Sequence, residues 1–344
     1  MINFSPKAKF SDGFSNLWRN LLTLFLLFFG IATSFLYYKF DNERKTYLAE
    51  YFTDDKQVAG VKEENDDLAL QVGGDIDLSL NKIITPKLNV SSTPIDLEQF
   101  TASNILVKDK DSSVMLVGKN SYEKHSLASI TKLMSGLVLL EQNLDWSATT
   151  TVSPDKVSGT NIYFGDTFTL DELWKVAFVA SSNKAILTLV DASGLSRADF
   201  VVRMNTKAKE LGMSDTNFVE PTGLDSNNIS TASDVVILLN EALDHDKIKE
   251  TLNLREATLY SKERKKEIHM WNTDWLLLGW IPNKLSIIGG KTGYIDDSLY
   301  NFTVAVKNDE GHVVDIVVLG ASEHEFRFIE AKEIAEWVFA NYTW

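Results

Sequence analysis

The chain has 344 residues, 44% hydrophobic and 24% charged, with 34 basic and 48 acidic side chains and a net charge of −14. Such a composition is globular, the length is enough for a full core, and the acidity opposes a nucleic acid partner, which needs clustered Lys and Arg. The sequence has no cysteine, which excludes disulfides, thiolate nucleophiles, Cys-based zinc sites and iron–sulfur clusters.

No side chain between Asn20 and Tyr38 is charged, and the run from Leu21 is dominated by Leu and Phe. As a helix, residues 21–38 would reach about 27 Å, close to the hydrocarbon thickness of a bilayer. A transmembrane anchor is therefore expected at 21–38, preceded by a short segment, 1–20. A cleaved signal peptide is the rival reading, but its apolar stretch would be shorter, and the small residues Ala32 and Ser34 lie inside the run. Lys7, Lys9 and Arg19 before the run are matched by Lys39, Arg44 and Lys45 after it, so flanking charge does not orient it.

Residues 41–80 carry eleven acidic and four basic side chains, half of the chain's net charge. With Gly60, Gly73 and Gly74 and few aromatics, and with the polar run to Pro94 beyond, residues 39–97 read as an acidic flexible spacer. The folded domain is expected over 98–344. It opens on two short β-type runs, Asn104–Lys108 and Val114–Val117, separated by Asp109-Lys110-Asp111-Ser112, a hairpin signal. Apolar residues at Leu133, Met134, Leu137, Val138 and Leu140 predict a helix over Leu127–Gln142. Further helical stretches follow at Thr169–Val190, Ala198–Leu211 and Ala232–Leu243. The chain then returns to strands at Leu285–Lys291, Phe302–Lys307 and Val313–Leu319, and closes with a helix, Glu323–Asn341, that buries Phe328, Ile334, Val338 and Phe339. This order implies an α+β fold: an antiparallel sheet formed by both ends of the domain, with a helical subdomain inserted.

Three short motifs carry chemistry. Ser129-Ile130-Thr131-Lys132 opens the first long helix, where Ser and Lys three apart share a face, so that the amine can take the hydroxyl proton. The spacing alone is common, recurring at Ser79/Lys82, Ser121/Lys124, Ser153/Lys156 and Ser181/Lys184. Only Ser129 leads into a long apolar helical face. Ser181-Ser182-Asn183 ends an apolar run and offers a hydroxyl and a carboxamide on a turn; a helix cap is the plainer reading of it. Lys291-Thr292-Gly293 follows the β-type run from Ser286, a strand end suited to binding a carboxylate. A phosphate-binding loop fails there, because Leu285 stands where its first Gly belongs.

In this order and layout the motifs resemble those of the serine D-alanyl-D-alanine carboxypeptidases, the low-molecular-mass penicillin-binding proteins of the S11 peptidase type. The resemblance runs from about Ser103 to the end of the chain. It includes Leu170-Asp171-Glu172-Leu173, the stretch Phe218–Asp225 with Pro221-Thr222-Gly223, Gly290–Tyr294, and Gly320-Ala321-Ser322 with Arg327-Phe328. It implies a β-lactamase/DD-peptidase-like transpeptidase fold, with Ser129 as acylated nucleophile, Lys132 as its base, and Ser181 relaying a proton toward the leaving amine beside Lys291. Asn183 would hold the acyl-side amide, Thr292 the terminal carboxylate, and Gly293 a close backbone approach. The N–H groups of Ser129 and Tyr294 would form the oxyanion hole. No cofactor and no metal is implied, and the five histidines show no zinc spacing.

The implied substrates are peptidoglycan stem peptides ending in D-Ala-D-Ala, with β-lactams as covalent inhibitors. Such a substrate would place residues 1–20 in the cytoplasm and the catalytic domain outside a bacterial cell membrane. The alternatives are a class A-like β-lactamase, a DD-endopeptidase cutting cross-links, and a catalytically silent wall-binding protein. The first needs a deacylating Glu; Glu250-Thr251-Leu252-Asn253 is one residue short of the usual motif, and Glu250 reads as a solvated helix residue. Lys184 departs from the family pattern by adding a cation beside the cleft. Many relatives also carry a C-terminal β-domain and anchor; here the last expected helix ends just before Trp344.

Overall fold

The computed structural model describes residues 84–344 apart from 156 and 158–160. The expected N-terminal segment, the anchor at 21–38 and the spacer through residue 83 lie outside the described residues. No helix among the described residues is long and apolar enough to cross a membrane.

Five strands form the central sheet: β1 (Asn104–Asp109), β2 (Met115–Lys119), and, after a hairpin of β3 (Glu256–Ser261) and β4 (Lys266–Trp271), the strands β5 (Ser286–Ile295), β6 (Leu299–Lys307) and β7 (Val313–Ala321). The sheet order is β5-β6-β7-β1-β2, antiparallel throughout. The two ends of the domain therefore meet where β7 pairs with β1, as the strand–helix–strand order implied. Side chains alternate faces along each strand. Ile105, Val107, Val304 and Val318 enter one core, while Leu106, Ala305 and Val317 enter the other.

The helices are α1 (Thr131–Leu140), α2 (Leu170–Val179), α3 (Asn183–Ala192), α4 (Arg197–Glu210), α5 (Ala232–Asp244), α6 (Asp246–Leu252), α7 (Trp275–Leu278) and α8 (Phe326–Asn341). Helix α8 covers the first face of the sheet with Phe328, Ala331, Ile334 and Val338. Phe339 is only half-buried against that core. The remaining longer helices build the second core around Trp174, Phe178 and Phe200, all essentially inaccessible.

Three expectations change. The stretch 169–190 is two helices, because Ser181 takes φ +56° and breaks the run. The helix expected from Leu127 starts instead with a 3-10 turn at Ala128–Ile130. Pairing with the end of the domain also begins before residue 98: Lys87–Leu88 pairs with Tyr342–Thr343, and Asn89 N donates to Asn341 O at 2.9 Å. The β3–β4 hairpin carries no sequence mark, since its turn, Lys262–Lys265, is polar but lacks the Gly or Asn of tight hairpins.

Candidate active site

Ser129 sits in the 3-10 turn immediately before α1, after Ala128 at φ +46°. A non-glycine residue there carries strain of order 1–2 kcal/mol, a cost tolerated where the surroundings over-determine it. Gly223 is what makes room: its own φ is +87°, and a Cβ there would lie 1.8 Å from the carbonyl oxygen of Ala128. Gly293 does the same from β5, where a Cβ would meet Leu127 O at 2.7 Å and Ser129 N at 3.2 Å. Both glycines thus let backbone close around the Ser129 turn.

Three residues after Ser129, in the first turn of α1, Lys132 is fully buried, with Nζ 2.7 Å from Ser129 Oγ, 2.6 Å from Asn183 Oδ1 and 2.6 Å from Thr222 O. Burial brings its amine down to about 7 from an ordinary 10.5, with the Glu220 carboxylate opposing the fall. The three partners satisfy either protonation state. An ammonium donates to all three; a neutral amine donates to the amide and carbonyl oxygens and keeps its lone pair for the serine O–H. Burial plus a matched acceptor set is what a lysine base requires.

The second pair faces the first. Lys291 on β5 is buried and donates to Ser181 Oγ at 2.8 Å and to Thr292 O at 2.9 Å. Burial, then the charges of Lys132 and Arg327, hold its amine well below the ordinary lysine value, while Asp274 acts the other way. The left-handed Ser181 turns its hydroxyl toward Lys291, and Ser182 caps α3 by accepting from Ala185 N at 3.3 Å. β5 is an edge strand of the sheet, the position at which an extended partner can pair.

A cleft of about 540 Å³ joins these parts, lined by Ser129, Ser181, Asn183, Thr292, Gly293 and Tyr294 and walled further by aromatic residues. Lys132 and Lys291 lie behind its surface. Thus Ser129, Lys132, Ser181, Asn183, Lys291, Thr292, Gly293 and Tyr294 fall at one place. Tyr294 stacks on Tyr300 at 4.4 Å and donates to Asp296 at 2.7 Å. Lys184 lies over the ring of Tyr163 at 5.4 Å. Glu250 is exposed on α6 and does not line the cleft.

Other contributors were not picked out as site residues. The Glu220 carboxylate accepts from the N–H groups of Thr222, Gly223 and Leu224 and from Asn228 Nδ2, fixing the turn that carries Thr222 O to Lys132. Buried Arg327 donates to Gly293 O at 3.1 Å and lines the cleft. Trp271, Trp275, Trp280 and His324 complete the wall. Three tryptophans within ten residues, after a polar turn, were the available signal.

This geometry defines a serine–lysine site on a mixed α and antiparallel β scaffold. The chain matches the peptidase S11 family, D-alanyl-D-alanine carboxypeptidase, over residues 89–323, and belongs to it. It is 29% identical to the D-alanyl-D-alanine carboxypeptidase DacF of Bacillus subtilis over 250 residues, 70% of this chain and 63% of DacF. The match therefore spans less than two thirds of that relative. A D-alanyl-D-alanine endopeptidase of Haemophilus influenzae is 34% identical over 212 residues, 60% of this chain and 71% of that protein. Among solved structures, penicillin-binding protein D2 of Listeria monocytogenes in its cefotaxime-bound form is 27% identical with a TM-score of 0.62, covering 72% of this chain and all of that one.

Proposed function

We propose that the protein is a penicillin-sensitive serine DD-carboxypeptidase that removes the terminal D-alanine from peptidoglycan stem pentapeptides. The observation that carries this reading is the 2.7 Å contact between Ser129 Oγ and a fully buried Lys132 amine that titrates near neutrality. In this scheme neutral Lys132 takes the Ser129 proton as Oγ attacks the carbonyl between the two D-alanines. The N–H groups of Ser129 and Tyr294 receive the oxyanion; such a donor is worth roughly a hundred- to thousandfold in rate. Ser181, held by Lys291, passes a proton to the departing amine, and water then resolves the acyl-enzyme. Thr292 binds the terminal carboxylate and Asn183 the acyl-side amide. Neither a cofactor nor a metal enters the scheme.

The names of the relatives support a peptidase acting on D-Ala-D-Ala, and they include both carboxypeptidases and endopeptidases. The cefotaxime-bound relative supports β-lactam binding. Residues 21–38 would anchor the enzyme in a bacterial cell membrane, with 1–20 inside, a spacer from residue 39 onward and the catalytic domain outside. Incubation with a pentapeptide ending in D-Ala-D-Ala, followed by mass spectrometry, is expected to show loss of one alanine, with the rate rising through pH 7 as Lys132 deprotonates. Cleavage of a cross-linked dimer without trimming of the pentapeptide would replace the carboxypeptidase reading with an endopeptidase. Rapid turnover of penicillin would replace it with a β-lactamase, and absence of any acyl adduct with a binding protein.

A further inference from the structure

The cleft holds more buried cations than its assigned chemistry explains: Lys132, Lys291 and Arg327 are each less than 5% exposed. Glu220 faces Lys132. The groups facing Lys291 are Lys132, Arg327 and Asp274; those facing Arg327 are Asp274, Glu325, Tyr300 and His324. Asp274 is the carboxylate common to Lys291 and Arg327, and no role has yet been given to it.

Asp274 belongs to a turn, Asn272-Thr273-Asp274, between β4 and α7, and each residue of it is tied to the site. Asn272 Oδ1 accepts from Asp274 N at 2.9 Å, and its Nδ2 donates to Leu252 O and Leu254 O. Thr273 N donates to Val179 O at 3.2 Å, two residues before Ser181, and its hydroxyl lies 2.7 Å from that of Thr292. Asp274 is 1% exposed. Its Oδ1 caps α7, accepting from Leu276 N at 2.9 Å and Leu277 N at 3.1 Å. Its Oδ2 has no hydrogen-bond partner, yet it presses on β5: a Cβ on Gly290 would lie 3.0 Å from it. A buried carboxylate oxygen without a partner is costly and calls for an explanation. A cap alone does not supply one, since Ser or Asn caps a helix equally well without a buried charge.

We propose that Asp274 is a positioning residue for the peptidase site: from behind β5 its unpartnered oxygen supplies the negative charge that balances Arg327 and keeps Lys291 cationic beneath the carboxylate-binding end of the cleft. This inference rests on the DD-peptidase reading above. The carboxylate also bears a cost, because burial pushes its own pKa up to about 6, against the N–H donors of Leu277 and Leu276 and the charges of Arg327 and Lys291. A folded value above the unfolded one means that its contribution to stability is full at low pH and is lost as pH rises through 6.

The test is the pH profile of kcat/KM for release of alanine from a peptide ending in D-Ala-D-Ala, measured on the full chain with Asp274→Asn and Asp274→Ser. Both variants keep a cap and remove the charge. The expected result is that the basic limb, set by loss of the Lys291 proton, moves to lower pH by about one unit, while the acid limb, set by Lys132, stays in place. At pH 8 both variants should melt at or above the wild-type temperature. A basic limb that does not move in either variant overturns the proposal, and so does a fall in activity with an unchanged profile and a lowered melting temperature. Failure of both variants to fold would make Asp274 purely structural and overturn it as well. A wild-type protein that neither releases alanine nor takes up a β-lactam would instead defeat the peptidase reading itself.

Discussion

On the sheet face that meets α8, Phe302, Val304, Ile316 and Val318 pack against Phe328, Ile334 and Val338, and every one of these side chains is dry. Around β5 on the other face, Lys132 and Lys291 are just as inaccessible, and so is Asp274 behind Gly290. The same loss of water has opposite consequences. On the α8 face each buried methylene contributes roughly 0.8 kcal/mol to the fold. At and behind the cleft burial disfavours charge, taking Lys132 down to about 7 and Asp274 up to about 6. Left-handed Ala128 and Ser181 add backbone strain to the same region. One face stores stability, and the other spends part of it on reactive groups.

Breaking each region separately sharpens this contrast. The largest effect is expected from Ser129→Ala: peptide hydrolysis should fall by about a thousandfold or more, because nucleophile and base act as a unit, while the melting temperature stays unchanged. On the dry face the reverse should hold. Phe328→Ala is expected to cost about 3–5 kcal/mol in denaturant unfolding and to leave the pH profile of the remaining folded enzyme where it was. Gly223→Ala lies between the two, because its new Cβ must displace the carbonyl of Ala128. A shift of the nucleophile loop approaching 1 Å should lower kcat/KM by about a hundredfold.

The smallest expected change is the most specific. The Glu220 charge raises the Lys132 pKa, so Glu220→Gln should let the amine stay unprotonated to lower pH. The acid limb of kcat/KM is then expected to move downward by up to about one unit, without movement of the basic limb. Together with the Asp274 variants, this would assign one limb to each buried pair.

The apolar architecture was legible because it obeys simple periods. The apolar β-type runs of β6 and β7, and the helical spacing of Leu133, Leu137 and Val138, gave the elements and their order. The serine–lysine chemistry was legible because its short motifs follow one another in a fixed sequence along the chain. A cap was legible at Ser181-Ser182-Asn183, and Ser182 provides it, but the left-handed backbone of Ser181 was not, since a serine in an apolar run carries no local mark of φ +56°. Glu220, Asp274 and Arg327 stayed hidden for a related reason. Each acts through a contact distant in sequence: Glu220 on Lys132, Asp274 behind Gly290, Arg327 on Gly293 O. Charge in a sequence reads as solvated surface until tertiary packing removes the water.

The most direct measurement is peptide mapping by mass spectrometry of the full chain after brief exposure to benzylpenicillin at pH 6 and pH 8. A single covalent adduct on Ser129, forming faster at pH 8 and absent from Ser129→Ala, is the expected result. An adduct on any other residue, or one that persists in Ser129→Ala, would contradict the assignment of Ser129 and Lys132 as nucleophile and base.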